Sequence, residues 1–174
     1  MSAIPIAIAD AVASMLNQAI QSSAIGALTA DEETRIVAQR SYPIWDDDFK
    51  LLNDLQIDVV FVSSGANSGD QAELDSALSF QTETAIDIAV RQRFEPQDQE
   101  PDGQLKTAVV DRLIQLVEDL FVYLIGQRDT ALNITGLSAN WYDATIRTYC
   151  DYKRLREGCF LGVVRVRYSA SKAV

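Results

Sequence analysis

The stretch whose reading decides the fold is "ETAIDIAVRQRF", residues 83–94. Thr84, Ile86, Ile88 and Val90 fall on one side of a two-residue repeat, and Glu83, Ala85, Asp87 and Arg91 on the other. Successive side chains of a strand point to opposite faces, so this alternation predicts a β-strand with one face in a core and a charged face outward. Such a strand belongs in a sheet that is covered on one side, and the neighbouring segments must provide the cover.

The strongest helical pattern runs from Leu105 to Arg128. Val109, Val110, Leu113, Ile114, Val117, Leu120, Phe121 and Leu124 form one stripe, with Asp111, Arg112, Glu118 and Asp119 opposite. A stripe of that size has to be buried, which predicts a long core helix. A second amphipathic helix is predicted at about 4–22, where Pro5 fits the first turn and Ile4, Ile8, Val12, Met15, Leu16, Ala19 and Ile20 recur at steps of three and four.

Alternation also predicts a first strand in "TRIVAQRSYP" (34–43), closed by Pro43, and a central strand in the nearly continuous apolar run "IDVVFVSS" (57–64). It returns in "WYDATIRTYCDY" (141–152) and "CFLGVVRVRYSA" (159–170), which "KRLREG" joins into a closing antiparallel hairpin. "IWDDDFKLLNDLQ" (44–56) reads as a short helical or irregular connection and "GANSGD" (65–70) as a flexible loop. Residues 95–104 hold two prolines, a glycine and four acidic residues, a composition that predicts an exposed, mobile loop. The expectation is one α+β domain over residues 1–174, a mainly antiparallel twisted sheet of about five strands with two long helices packed on it.

Composition narrows the chemistry. The 174 residues include no histidine, which removes the commonest general base and metal ligand and every Ser-His or Cys-His arrangement. The two cysteines, Cys150 and Cys159, match no zinc or redox spacing and read as reduced thiols. No glycine-rich phosphate loop is present, and Asn133 in "NIT" matches a glycosylation pattern without a secretory signal to support it. The N-terminal run lacks a positive region and carries Asp10, and no stretch approaches about 20 apolar residues, so a cytoplasmic protein with no membrane span is expected.

Two carboxylate sets invite a metal. Asp46, Asp47 and Asp48 are consecutive, which scatters them around a helix or turn rather than converging them on one ion. Glu83 and Asp87, which could be grouped with Asp58, lie about 13 Å apart along a strand, too far to share a cation. No catalytic, cofactor-binding or metal-binding residue is therefore assigned.

Charge is more informative. The formal net charge is −10, which argues against a usual basic nucleic-acid binder. Residues 1–142 carry 22 acidic and 8 basic side chains, a balance of −14, whereas residues 143–174 carry 3 and 7, a balance of +4. Opposite signs on different parts of one surface favour head-to-tail association of copies; a basic edge strand guarded against sticking is the other reading. Trp141, Tyr142, Tyr149 and Tyr152 are interleaved with Arg147, Lys153, Arg154 and Arg156, a mixture suited to a protein interface or to single-stranded nucleic acid, of which the overall charge favours the interface. With Arg91 and Arg93 from the deciding strand, these four cations are the candidate assembly residues.

The segments "RSYPIWDDDF", "IDVVFVSS", "IDIAVRQRF", "VDRLIQLVEDLFVYL" and "FLGVVRVRYS", in that order and spacing over roughly residues 34–168, resemble the small neck and tail proteins of tailed bacteriophages, especially tail terminator proteins. The resemblance is one of element pattern, with no signature motif. It implies a non-enzymatic α+β subunit of the virion neck or tail, assembled in the host cytoplasm. Such subunits form a ring, hexameric in that family, that caps the tail tube and meets the head-side connector or stopper. DNA would pass through the acidic lumen without specific binding, and no cofactor is implied. The mixed charges of Glu83, Asp87, Arg91 and Arg93 then read as an assembly or lumen surface. A stopper or completion factor is the alternative within that class, and a small-ligand or metal-dependent enzyme domain the alternative outside it.

Overall fold

In the computed structural model, which describes residues 3–41, 54–62, 73–76 and 79–173 (side chains of 73–76, 79–82, 142 and 171–173 excepted), the deciding stretch, all but its last residue Phe94, lies inside a strand of 15 residues. The elements run α1 (Ile4–Gln21), α2 (Ala30–Arg35), β1 (Gln39–Arg40), β2 (Gln56–Val62), β3 (Glu73–Ser76), β4 (Ser79–Arg93), α3 (Thr107–Gly126), β5 (Ser138–Thr148), α4 (Tyr152–Arg156) and β6 (Cys159–Ala173). The sheet order is β1-β2-β4-β6-β5, with β3 paired to the outer stretch of β4 beyond the end of β2. All pairings are antiparallel except β1 with β2.

Register fixes the two faces. Ile86, Ile88 and Val90 of β4 stand opposite Val166, Val164 and Gly162 of β6 and opposite Phe61, Val59 and Ile57 of β2. Ala144 and Ile146 of β5 extend the row. Helices α1 and α3 cover this face, and their buried residues join it in one core: Ile8, Val12, Leu16 and Ile20 from α1, and Leu113, Leu116, Val117, Leu120 and Leu124 from α3. The predicted α3 stripe is correct with a small rotation: Leu116 is fully buried, while Val109, Val110, Ile114 and Phe121 pack at the margin.

The first strand needs correction. Alternation predicts a strand over 34–43, of which residues 42–43 lie outside the described residues. Among the described residues, the chain ends helix α2 at Arg35 and β1 pairs Gln39 and Arg40 with β2. The reason for this late start lies in α1: the Asn17 side-chain amide donates to the Ala38 carbonyl (2.9 Å) and its oxygen accepts from the Ala38 N–H (2.7 Å), as a strand neighbour would. Helix α2 has a readable signal of its own, since Thr29 and Glu32 form a capping box, with Glu32 N–H donating to Thr29 Oγ1 and Thr29 N–H to Glu32 Oε2. Arg112 of α3 reaches the same Glu32 through both carboxylate oxygens, at 2.8 and 2.7 Å, and so ties α2 to the core helix.

Residues 95–104 are mostly exposed, as their composition predicts, but they form defined turns. Asp98 Oδ2 accepts from Glu95 N–H, Glu100 N–H donates to Gln104 O at 2.7 Å, and Lys106 donates to Asp98 O and Gln97 O. Local hydrogen bonds replace the core that such a composition cannot build. The expected connection at 44–56 falls mostly, and the loop at 65–70 wholly, outside the described residues.

Candidate functional site

The face of the sheet turned away from the helices carries a charge ladder. From Glu83 onward the odd-numbered residues of β4 point there, and so do Arg165 and Arg167 of β6, because "VVRVRY" alternates with the same period of two. Arg165 stands directly opposite Asp87 and binds it in a fork, with Nε to Oδ1 at 2.6 Å and Nη2 to Oδ2 at 2.8 Å. That hydrogen bond, reinforced by the charge of Asp87, raises the Arg165 pKa above its ordinary value against the opposing effect of burial. One step along β6, Arg167 faces Asp143 of β5 at 3.4 Å.

Towards the other end of β4 the ladder goes under cover. Asp58 of β2 is fully buried and Arg91 is only 3% exposed. Arg91 Nε donates to Asp58 Oδ2 at 2.6 Å, while Oδ1 of the same carboxylate accepts from Ser41 Oγ (2.7 Å) and Gln56 Nε2 (3.1 Å). This corrects the outward placement of Arg91. Period two gives the correct face, but part of that face is itself enclosed: Ala89, Val163 and Cys159 are buried there as well. Asp58 and Asp87, considered above as possible cation ligands, each engage an arginine instead.

The other five candidate cations gather at one end of the sheet. Arg93 is exposed at the end of β4 in register with Cys159, and Phe94 N–H donates to Gly158 O at 2.9 Å, so β4 ends beside the α4 turn. Helix α4 forms because Asp151 caps it, its Oδ1 accepting from the N–H groups of Lys153 and Arg154. Gly158, at φ 79°, then reverses the chain into β6, a conformation that costs glycine little. Arg147, Lys153 and Arg156 are exposed around this turn, whereas Arg154 is half-buried and pairs with Glu157 at 3.0 Å. The joining segment "KRLREG" is thus a short helix with a glycine stop, inside the antiparallel pair expected from sequence.

Both thiols are free and lie in separate apolar clusters, Cys150 in the main core and Cys159 beside Leu161. Burial raises the pKa of each; the charge of Asp151 adds to this for Cys150, and Glu157 adds to it for Cys159, where Arg93 and Arg154 act in the opposite sense. The thiolate is the reactive form, so at pH 8 both should be alkylated by iodoacetamide at least about tenfold more slowly in the folded protein than in urea. Equal rates measured by mass spectrometry would contradict this burial.

Among the described residues no group of three or more carboxylate or thiol side chains could hold a metal ion, and no helix is long and apolar enough to cross a membrane. Asp46, Asp47 and Asp48 lie outside the described residues. No protein-family model matches the chain, and no curated protein matches it. What the described surface offers chemically is recognition of charge: an ordered ladder on the sheet and a cationic, aromatic turn at its end.

Proposed function

We propose that this chain is a structural subunit of the neck or tail of a tailed phage, a ring former of the tail-terminator kind. The observation that carries the reading is the order and spacing of its elements from "RSYPIWDDDF" to "FLGVVRVRYS", which resembles that family. The charge distribution supports it. Cations exposed at one turn and acids spread over the rest of the subunit suit repeated unlike contacts between copies, which close into rings when the rotation permits. A net charge of −10 per copy would make a ring strongly anionic, so that DNA could pass without being held. Multi-angle light scattering across concentration tests the proposal. A particle of about six subunits is expected, and a protein that remains monomeric up to millimolar concentration would overturn the reading.

A further inference from the structure

The core stripe of α3 leaves an opposite stripe facing out. Asp111, Gln115, Glu118, Val122 and Ile125 follow one another at steps of four, three, four and three, and all five are exposed. They form a single line about 21 Å long at 1.5 Å per residue. Its first part is acidic and its last part apolar: Val122 is 61% and Ile125 37% exposed, unusual for aliphatic side chains on a helix with so well-formed a buried face. The α4 turn presents the complementary mixture. Arg147, Lys153 and Arg156 are exposed there with Tyr152 at 73% and Tyr149 at 48%. One chain thus carries two unlike patches, one of cations with aromatic rings and one of carboxylates with aliphatic groups.

We infer that the α4 turn of one copy docks on the outward stripe of α3 of the next, with Tyr149 and Tyr152 on Val122 and Ile125, and Lys153 and Arg156 towards Asp111 and Glu118. The occupant is a second copy because the complement in both charge and apolar character is present on the same chain. The contact is heterologous, so a joined pair keeps one patch of each kind free, one on each copy, for further neighbours. Exposed charge pairs contribute little affinity but select orientation, while the tyrosines supply the anchoring area. The inference deepens the ring proposal and names the surfaces that would build it.

Cross-linking between singly substituted copies tests it. Val122→Cys and Tyr152→Cys proteins are mixed and treated briefly with a short bismaleimide; Cys150 and Cys159 are buried and serve as an internal background. The expected result is a yield of linked Val122→Cys to Tyr152→Cys pairs at least about fivefold above that from Ser14→Cys, an exposed position on α1, mixed with Tyr152→Cys. Adding Lys153→Glu and Arg156→Glu to the Tyr152→Cys copy should lower that yield about tenfold at low salt, and Asp111→Lys with Glu118→Lys on the other copy should restore it. Yields equal to the Ser14→Cys control, or insensitive to charge reversal, overturn the docking. Light scattering on the unsubstituted protein separates the two ideas. A ring without the preferred link sinks this contact and leaves the ring, whereas the preferred link in open chains or pairs sinks the ring and leaves the contact.

Discussion

Replacing Gly162 by valine should prevent the protein from folding at 37 °C, and replacing it by alanine should destabilise it by about 1–3 kcal/mol, the usual range for overpacking a filled core. Gly162 stands on β6 opposite Val90, beneath α3. A Cβ there would lie 2.4 Å from Val117 Cγ2, 3.0 Å from the Tyr149 carbonyl oxygen and 3.1 Å from Phe160 Cε1. Val117 and Phe160 are fully buried, and a β-branched side chain on a helix has essentially one rotamer, so the clash cannot be relieved by a side-chain swing. Either α3 lifts off the sheet or β6 bends. Urea unfolding gives the cost, and trimming Val117 to alanine in the Gly162→Ala background should recover part of it, a coupling of about 0.5–3 kcal/mol. An alanine variant with the original midpoint would show that the helix does not approach the strand this closely.

Substituting Asp58 by alanine should cost about 3–5 kcal/mol, a large fraction of the stability of an ordinary domain, because it removes the buried carboxylate to which the Arg91 Nε donates. Ser41 and Gln56 lose their acceptor in the same step. Losing one partner is far worse than losing both. Asp58→Leu combined with Arg91→Met should therefore recover most of the loss and could match the original protein. The deficit of the single variant should change little between 0.05 and about 0.5 M salt, since buried pairs are weakly screened. A loss below about 1 kcal/mol in denaturant titration would place the pair in water instead of in the subunit.

The helices and the main strands are legible because their signals are periodic and long. Alternation in β4 and β6 and the stripe of α3 depend only on which residues meet a core, and the sheet face they imply is the one observed. What is hidden depends on single side chains. Nothing periodic announces that Asn17 will occupy both polar groups of Ala38, just before the first strand begins, or that Arg91 will find Asp58 across the sheet. The capping box at Thr29 and Glu32 was available to be read and outweighs the apparent alternation after it. Of the candidate cations, the α4 group is legible as a cluster because it is close in sequence. The ladder of Asp87 with Arg165 is not, since its partners are 78 residues apart.

The place of β6 in the sheet also governs when the fold can form. It is the last of the described strands along the chain, yet it lies between β4 and β5 and pairs with both over most of its length. A nascent chain that has not reached Cys159 contains β5 with no strand to join and an α3 whose closest seat, Gly162, has yet to be made. Closure of the sheet then relies on contacts of long sequence separation, whose loop entropy must be met before any pairing stabilises them. Until the ribosome has delivered residues 159–173, the apolar face of α3 lacks half its floor, whereas α1 packs on β1, β2 and β4, which precede that segment. The interval between synthesis and closure is the period in which the chain is most open to aggregation.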